Sequence, residues 1–206
     1  TIQTAGLAQR LSHIGCKKVV IPISGGLDST LALLVTAATF DLLGLDRKGI
    51  IGVTMPGFGT TDRTYQNALT LMAELGITTR EISIRKACEQ HFADIGLDAN
   101  DRGAAYENSQ ARERTQILMD LANLVGGIVI GTGDLSEAAL GWATYNGDSM
   151  SMYNPNCSIP KTLVRKIVEW CAESDKNERV CSTLKDIVDT PVSPELLPAD
   201  SEGNIA

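Results

Sequence analysis

The architecture of this chain can be worked out from one stretch, Ile21-Pro22-Ile23-Ser24-Gly25-Gly26-Leu27-Asp28-Ser29-Thr30. The apolar run at residues 19–23 predicts a buried strand, and the apolar helical pattern at about 27–43 predicts a helix after the glycines. Two adjacent glycines between a strand and a helix allow a sharp turn, whose free N–H groups point at one spot together with the positive end of the helix. The stretch therefore predicts an anion-binding loop.

This loop differs from two common nucleotide-binding patterns. It lacks the Gly-Lys-Ser/Thr ending of the common phosphate loop, and it is not a G-x-G-x-x-G dinucleotide loop. Asp28 stands where a cation would be expected, and a carboxylate beside a polyphosphate is favourable only if Mg²⁺ lies between them. Ser24, Ser29 and Thr30 add hydroxyl donors. The alternative is a tight turn that binds nothing.

The order of the predicted elements indicates the fold class. Further strands are predicted at residues 49–55, 79–84 and 128–130, and further helices at 5–14, 63–75, 85–95, 104–125, 160–173 and 180–188. Short buried strands that alternate with helices predict an α/β fold, a doubly wound parallel sheet with helices on both faces.

Polar, glycine-bearing loops follow three of these strands, at residues 24–30, 56–62 and 131–137. In doubly wound sheets, ligands bind beyond the carboxyl ends of the strands, so we expect the three loops to converge on one edge of the sheet. Residues 142–159 are expected to be irregular, and the proline-containing tail from residue 190 is expected to be extended.

Composition narrows the class of protein. The 206 residues are enough for one domain with a substantial core. A net charge of −7 argues against nucleic acid and anionic membranes as partners, and no apolar run is long enough to span a bilayer. The five cysteines are odd in number and form no C-x-x-C, which favours reduced thiols and a cytoplasmic location.

A second stretch carries more specific chemistry: Gly131-Thr132-Gly133-Asp134-Leu135-Ser136-Glu137-Ala138-Ala139-Leu140-Gly141-Trp142-Ala143-Thr144-Tyr145. Thr132 offers a hydroxyl at the strand end, and Glu137 lies on the following helical turn, where it can face the first loop. Asp28 and Glu137 would then share Mg²⁺. The alternative for Glu137 is an ordinary solvated glutamate, because charged helix faces are common.

With these motifs the chain resembles the NAD synthetases, from Ile2 to Leu197. The resemblance lies in residues 24–30, 55–60, 107–114, 131–145 and 160–162. The first motif alone would also fit other ATP pyrophosphatases, such as GMP synthetase or asparagine synthetase. In these motifs, the chain is most similar to the synthetase domain of the bacterial glutamine-dependent enzyme. The resemblance implies the ATP-pyrophosphatase type of α/β fold.

The resemblance implies a reaction. ATP activates the carboxylate of nicotinic acid adenine dinucleotide (deamido-NAD) as an acyl-adenylate and releases pyrophosphate. Ammonia, free or derived from glutamine, then displaces AMP and leaves the amide, NAD. The implied partners are deamido-NAD, ATP as co-substrate, ammonia and Mg²⁺.

The resemblance also implies roles for individual residues. ATP would be bound by Ile23, Ser24, Gly25, Gly26, Leu27, Asp28, Ser29, Thr30, Thr132, Lys161 and Ser193. Deamido-NAD would be bound by Asn108, Arg112, Glu137, Trp142, Ala143, Thr144, Tyr145 and Asp148, with Arg114 close to the same site. Asp28 and Glu137 would be the catalytic residues and the Mg²⁺ ligands.

Several of these residues have simpler interpretations. Arg112 and Arg114 could be charges on a solvent-facing helix. Trp142 and Tyr145 could be core aromatics, since aromatic side chains often simply pack. Lys161 by itself would most often be a surface lysine.

The resemblance has departures that bear on domain organisation. Tyr145 and Asn146 stand where the shorter ammonia-dependent enzymes carry Lys and Tyr, which favours the glutamine-dependent subfamily. We expect residues 1–206 to be one synthetase domain that lacks an N-terminal glutaminase domain and the C-terminal end, and that forms homo-oligomers. The alternatives are another ATP pyrophosphatase, such as GMP synthetase, and a non-catalytic nucleotide-binding module.

Overall fold

Helices and strands alternate along the chain in a computed structural model that describes residues 2–98 and 100–191. The helices are α1 (Ile2–Ile14), α2 (Leu27–Leu42), α3 (Asp62–Glu74), α4 (Arg85–Ile95), α5 (Ala104–Val125), α6 (Leu135–Leu140), α7 (Lys161–Ser174) and α8 (Glu178–Val188). The strands are β1 (Val19–Pro22), β2 (Ile50–Thr54), β3 (Thr78–Glu81) and β4 (Ile128–Val129). Within the described ranges, no helix combines the length and the apolar character that a membrane crossing requires.

The four strands form one parallel sheet in the order β3-β2-β1-β4. Val19 and Ile21 of β1 pack against the layer that contains α1, α2, α3, α7 and α8, whereas Val20 packs against the layer of α4 and α5. Alternate side chains of one strand thus enter two separate cores. The predicted doubly wound α/β fold with helices on both faces is confirmed.

The strand order places a topological switch point between β1 and β4. From β1 the chain moves outward to β2 and β3, and it then returns to the other side of β1 as β4. In open parallel sheets, the crevice beyond the carboxyl ends at such a point is where ligands bind. The loops at residues 24–30 and 131–137 leave the sheet at this crevice, and the loop at 56–62 follows β2 at the same edge, so the predicted convergence is confirmed.

The prediction of a buried strand at residues 79–84 was wrong in its extent and in its burial. Strand β3 ends at Glu81, and three of its four residues are exposed. It lies at the edge of the sheet and pairs only with β2 among the described strands, which explains why polar residues such as Arg80 and Glu81 are tolerated there. Glu81 accepts a hydrogen bond of 2.5 Å from the Tyr65 hydroxyl.

The segment at residues 142–159 has no described helix, as predicted, but it is anchored to the sheet. Tyr153 forms a parallel bridge with Ile130, and the backbone N–H of Gly131 donates to the Tyr153 carbonyl at 2.8 Å. A Cβ at Gly131 would overlap the Ser151 side chain, so glycine permits this close approach. The segment therefore continues the edge beyond β4 and leads directly into α7 at Lys161.

Candidate active site

The glycine loop after β1 has a fixed conformation. Gly25 has φ +87°, and a Cβ there would collide with the backbone carbonyl of Thr64 in α3. The N–H of Gly26 donates to Ser24 Oγ at 3.2 Å, and Ser29 Oγ donates to the Gly26 carbonyl at 3.1 Å. The loop is thus held in one shape at the start of α2, where the helix dipole favours an anion.

The predicted ATP-binding residues of this loop contribute differently. The side chains of Ile23 and Leu27 are buried in the core, so only their backbone groups are available to a ligand. Ser29 and Thr30 are also buried, whereas Ser24 and Asp28 are partly exposed at the crevice. Ser193 lies outside the described residues.

Three carboxylates meet across the switch point. Asp28 in the first turn of α2 and Asp134 and Glu137 at the start of α6 offer oxygens that all lie within 4.8 Å of one another. The structure therefore brings together the two residues that the sequence paired, although they follow different strands.

Asp134 was missed by the sequence reasoning. It is 1% exposed and caps α6, with Oδ1 accepting from the Glu137 N–H at 2.8 Å while Glu137 Oε2 accepts from the Asp134 N–H at 3.0 Å. Asp-x-x-Glu before a helix is a local signal for this reciprocal cap and could have identified Asp134. The cap fixes the two carboxyl groups relative to each other.

Lys161 lies among these carboxylates. Its ammonium group pairs with Asp28 Oδ2 and lies 3.5 Å from Asp134 Oδ2 and 3.8 Å from Glu137 Oε1. Its backbone N–H donates to Ser136 Oγ at 3.1 Å, which ties the start of α7 to α6. Lys161 is therefore not a surface lysine, and its charge neutralises part of the acidic cluster.

Burial and neighbouring negative charge raise the pKa values of Asp28 and Glu137. Burial raises the pKa of Asp28, although the hydrogen bond from Lys161 opposes the shift. Burial also raises the pKa of Glu137, and the charge of Asp28 adds to this rise while the N–H of Asp134 counteracts it. Burial alone would lower the pKa of Lys161, but the contact with Asp28 and the other acids raises it overall. One ammonium thus compensates only partly for three carboxylates.

The donor set fits a hard divalent cation. Asp28 Oδ1 and Asp134 Oδ2 are buried and accept no hydrogen bond from any residue that the structure describes. Buried polar atoms are nearly always satisfied, and Asp134 Oδ2 has only the Lys161 ammonium at 3.5 Å, so both oxygens can take an additional ligand. Clustered carboxylate oxygens are what Mg²⁺ prefers, and Asp28, Asp134 and Glu137 meet this requirement.

Most of the predicted dinucleotide-binding residues also lie together. Thr144 Oγ1 donates to Asn108 Oδ1 at 2.8 Å, and Arg112 Nε donates to the Tyr145 carbonyl at 3.2 Å. The N–H of Thr144 donates to Asp148 Oδ1 at 2.7 Å. These bonds attach the loop after α6 to α5, so the two motifs form one surface.

The solvent exposure of these side chains shows which of them pack in the core and which are available to a ligand. Trp142 is 79% exposed and Tyr145 is 80% exposed, so neither is a core aromatic. Ala143 is exposed beside them, and Arg112 is exposed but held by its bond to the Tyr145 carbonyl. Arg114 is half-buried and donates to the Met55 carbonyl at 3.2 Å, so it supports the end of β2.

A second functional candidate that sequence reasoning missed is Asn156. Its buried side-chain amide donates to the carbonyls of Asp28 and Thr132 at 2.9 and 3.2 Å. Thr132 itself is half-buried in the loop that follows β4. No sequence pattern marks Asn156, because it lies in an irregular segment.

An aspartate stands here where the common phosphate loop carries its lysine, and further acids face it across the switch point. These features define a doubly wound α/β protein with a glycine loop and an acidic cluster at its switch point. The model of the NAD synthase family matches residues 2–196, and the chain belongs to that family.

A curated relative agrees with this assignment, and two solved structures share the fold. The chain is 48% identical to a glutamine-dependent NAD(+) synthetase of Mycobacterium leprae, over 98% of this chain and 30% of the relative. It superposes with a TM-score of 0.82 on an Acinetobacter baumannii glutamine-dependent NAD+ synthetase in complex with ADP, at 22% identity over 91% of this chain and 34% of that one.

The second structure is an NMN synthetase from Francisella tularensis, with a TM-score of 0.80 and 25% identity over 97% of this chain and 77% of that one. The chain thus spans about 30% of the length of the curated relative, and most of the length of this solved structure.

Proposed function

We propose that this chain catalyses the ATP-dependent amidation of deamido-NAD to NAD through an acyl-adenylate. The observation that carries the proposal is the meeting of Asp28, Asp134 and Glu137 beside a rigid glycine loop at the switch point. Membership of the NAD synthase family supports the reaction, and the ADP complex of a structural neighbour supports an adenine nucleotide as ligand.

The glycine loop and the acidic cluster would bind ATP. The loop at residues 24–30 would offer backbone N–H groups and the partly exposed hydroxyl of Ser24 to the phosphates. Asp28 and Glu137, supported by Asp134, would hold Mg²⁺, which when bound neutralises the charge of the departing pyrophosphate. Lys161 adds a positive charge at the same place, in line with its predicted contact with phosphate.

The surface of α5 and the following loop would hold the dinucleotide. Asn108 and Arg112 lie where they can orient it, and the exposed rings of Trp142 and Tyr145 can stack on its nicotinate end. A carboxylate oxygen of the substrate attacks the α-phosphorus of ATP, and the bond to pyrophosphate breaks. Ammonia then attacks the acyl carbon, AMP leaves, and a proton is lost. Positioning and exclusion of water are the main tasks of the protein.

We also propose that the ammonia derives from glutamine, which a separate glutaminase domain would hydrolyse. The glutamine-dependent relative supports this, because this chain matches only 30% of it. Association of copies is proposed as well. Exposed apolar side chains such as that of Leu140 favour such contacts.

The test is a substrate panel scored by the release of AMP and pyrophosphate. We expect both products only when deamido-NAD, ammonia, ATP and Mg²⁺ are all present. Nicotinic acid mononucleotide belongs in the panel because of the NMN synthetase neighbour, and xanthosine monophosphate represents the GMP synthetases. Release of AMP with either of these and not with deamido-NAD would contradict the proposal, as would ATP binding without any turnover.

A further inference from the structure

The hydrogen bonds between β1 and β4 stop just before the two functional loops. The Ile130 N–H donates to the Val20 carbonyl at 2.8 Å. The Ile23 N–H points in the opposite direction, toward β2, and donates to the Val53 carbonyl at 2.9 Å. Backbone groups of a strand alternate between its two neighbours, so Pro22 faces β4 as Val20 does. Pro22 has no N–H and cannot donate the next bond of this ladder.

Beyond the end of this ladder, a side-chain amide connects the two loops. Asn156 Nδ2 donates to the Asp28 carbonyl at 2.9 Å and to the Thr132 carbonyl at 3.2 Å. Asp28 follows β1 and Thr132 follows β4, so one amide group connects the two loops on opposite sides of the switch point. Both carbonyls lie next to side chains of the candidate site.

Asn156 is itself held on every side. It is fully buried, and its Oδ1 accepts from Gln3 Nε2 of α1 at 3.0 Å. Its backbone N–H donates to Asn154 Oδ1 at 3.0 Å, and Asn154 Nδ2 donates to the Gly133 carbonyl at 2.8 Å. The position thus requires two donors and one acceptor in the plane of one amide. Aspartate and leucine have a similar size but lack the donors.

We propose that Asn156 is a positioning residue, which fixes the Asp28 backbone relative to Thr132 and so sets the spacing of the Asp28 and Glu137 carboxylates. The inference rests on the proposed function, because a metal–nucleotide complex is the ligand that this spacing serves. Asn156 acts through the two backbones and does not touch the ligand.

The test measures how much a metal strengthens nucleotide binding. The affinity for α,β-methylene ATP is titrated with Mn²⁺ and in EDTA, for wild type, Asn156→Leu and Asn156→Asp. We expect the gain that Mn²⁺ gives to fall by about tenfold or more in both variants, the usual effect of removing a residue that orients metal ligands. The affinity in EDTA is expected to stay close to that of wild type.

The matched control is Thr36→Val. Thr36 is fully buried in the same helix as Asp28, and its hydroxyl donates to the Ala32 carbonyl at 2.7 Å. The variant therefore removes a buried hydrogen bond of α2 without touching either loop. Its Mn²⁺ gain should equal that of wild type, even if its unfolding temperature falls as far as that of Asn156→Leu.

The possible results separate the two proposals. Wild type without any Mn²⁺ gain would overturn the proposed function and this inference with it. A gain of equal size in wild type and in both Asn156 variants would overturn this inference alone. Should the Asn156 variants fail to fold, the same titration is carried out on Gln3→Leu, because this variant removes the hydrogen bond that Asn156 Oδ1 accepts. If Mn²⁺ strengthens nucleotide binding less in Gln3→Leu than in Thr36→Val, the inference is supported. If Mn²⁺ strengthens binding equally in both, the inference is overturned.

Discussion

Asp28 and Glu137 present carboxylate oxygens within 4.8 Å of each other, although one follows β1 and the other follows β4. The strand order makes this meeting possible, because β1 and β4 are neighbours in the sheet while β2 and β3 lie on the far side of β1. Asp134 joins them through its cap on α6, and Lys161 occupies the centre of the group. The consequences of this arrangement can be measured.

Replacing Glu137 by glutamine should change the pH dependence of stability. Burial raises the pKa of Glu137 above its ordinary value of 4.5, so the folded protein binds this proton more tightly than the unfolded chain. The carboxyl group therefore destabilises the metal-free protein progressively as the pH rises through the folded pKa, and has no such effect below 4.5. Glutamine mimics the protonated form and can still accept from the Asp134 N–H.

Thermal unfolding of metal-free wild type and Glu137→Gln over a pH series checks this. We expect similar unfolding temperatures at about pH 4 and a more stable Glu137→Gln at about pH 8. With Mg²⁺ and ATP present, wild type should become the more stable protein, because ligands stabilise the state that binds them. A difference that is independent of pH would contradict the prediction.

Removing the charge of Lys161 should strengthen metal binding in the absence of nucleotide. Lys161→Met leaves three carboxylates without their ammonium, which lies within 3.8 Å of Glu137. An opposite charge at about 4 Å is worth roughly 1–4 kcal/mol in a partly wet site, so we expect Mn²⁺ affinity to rise about tenfold. Turnover should fall, since Lys161 also serves the phosphates.

Lys166→Met is the matched control for this titration. Lys166 is on the same helix, is largely exposed and pairs with Glu169 at 2.6 Å. Its removal changes the net charge equally without touching the cluster. If both variants bind Mn²⁺ equally well, the effect arises from overall charge and not from the position of Lys161.

Gly25→Ala should both destabilise the fold and abolish nucleotide binding. The positive φ of Gly25 costs an alanine roughly 1–2 kcal/mol, and the overlap with the Thr64 carbonyl adds to this cost. Gly76→Ala is the control, because Gly76 also has a positive φ, +69°, but open space around it. We expect urea unfolding to show a larger loss for Gly25→Ala, and ATP binding to survive only in Gly76→Ala.

Trp142→Ala should weaken dinucleotide binding without affecting the fold. Because Trp142 is 79% exposed, its truncation should leave the unfolding temperature unchanged. Aromatic stacking of about 0.5–1.5 kcal/mol corresponds to a rise of roughly 2- to 10-fold in KM for deamido-NAD, with KM for ATP unaltered. Trp170→Ala, at the other exposed tryptophan, should leave both values unchanged. Equal effects of the two variants would contradict a role for Trp142 in the site.

The features that could be predicted from the sequence are those with a local pattern. Gly25 and Gly26, between an apolar run and a helical pattern, predicted the loop that lies at the switch point. Asp28 could be singled out as a candidate Mg²⁺ ligand because it comes directly after this glycine turn, at the start of the helix. The helix at residues 104–125 was predicted with its observed bounds, since Gly126 ends it in the left-handed conformation. Alternation of such elements was enough for the fold class.

The features that escaped prediction depend on contacts between distant parts of the chain. Asn156 bonds to Asp28, which is 128 positions away, and no periodicity marks a side-chain amide in an irregular segment. The pairing of Lys161 with Asp28 was missed for the same reason, whereas the cap by Asp134 had a local signal that was overlooked. The exposure of β3 follows from its place at the sheet edge, which the order of elements alone does not give.

The most direct test of the account is the effect of Mg²⁺ on the binding of α,β-methylene ATP to wild type and to Asp28→Asn. Asparagine keeps the size of the side chain and removes the charge that a metal requires. We predict that Mg²⁺ strengthens binding to wild type by about tenfold or more and has no effect on binding to Asp28→Asn. An equal gain in both proteins would show that the carboxylates at the switch point do not hold the metal of the nucleotide, and would contradict the account.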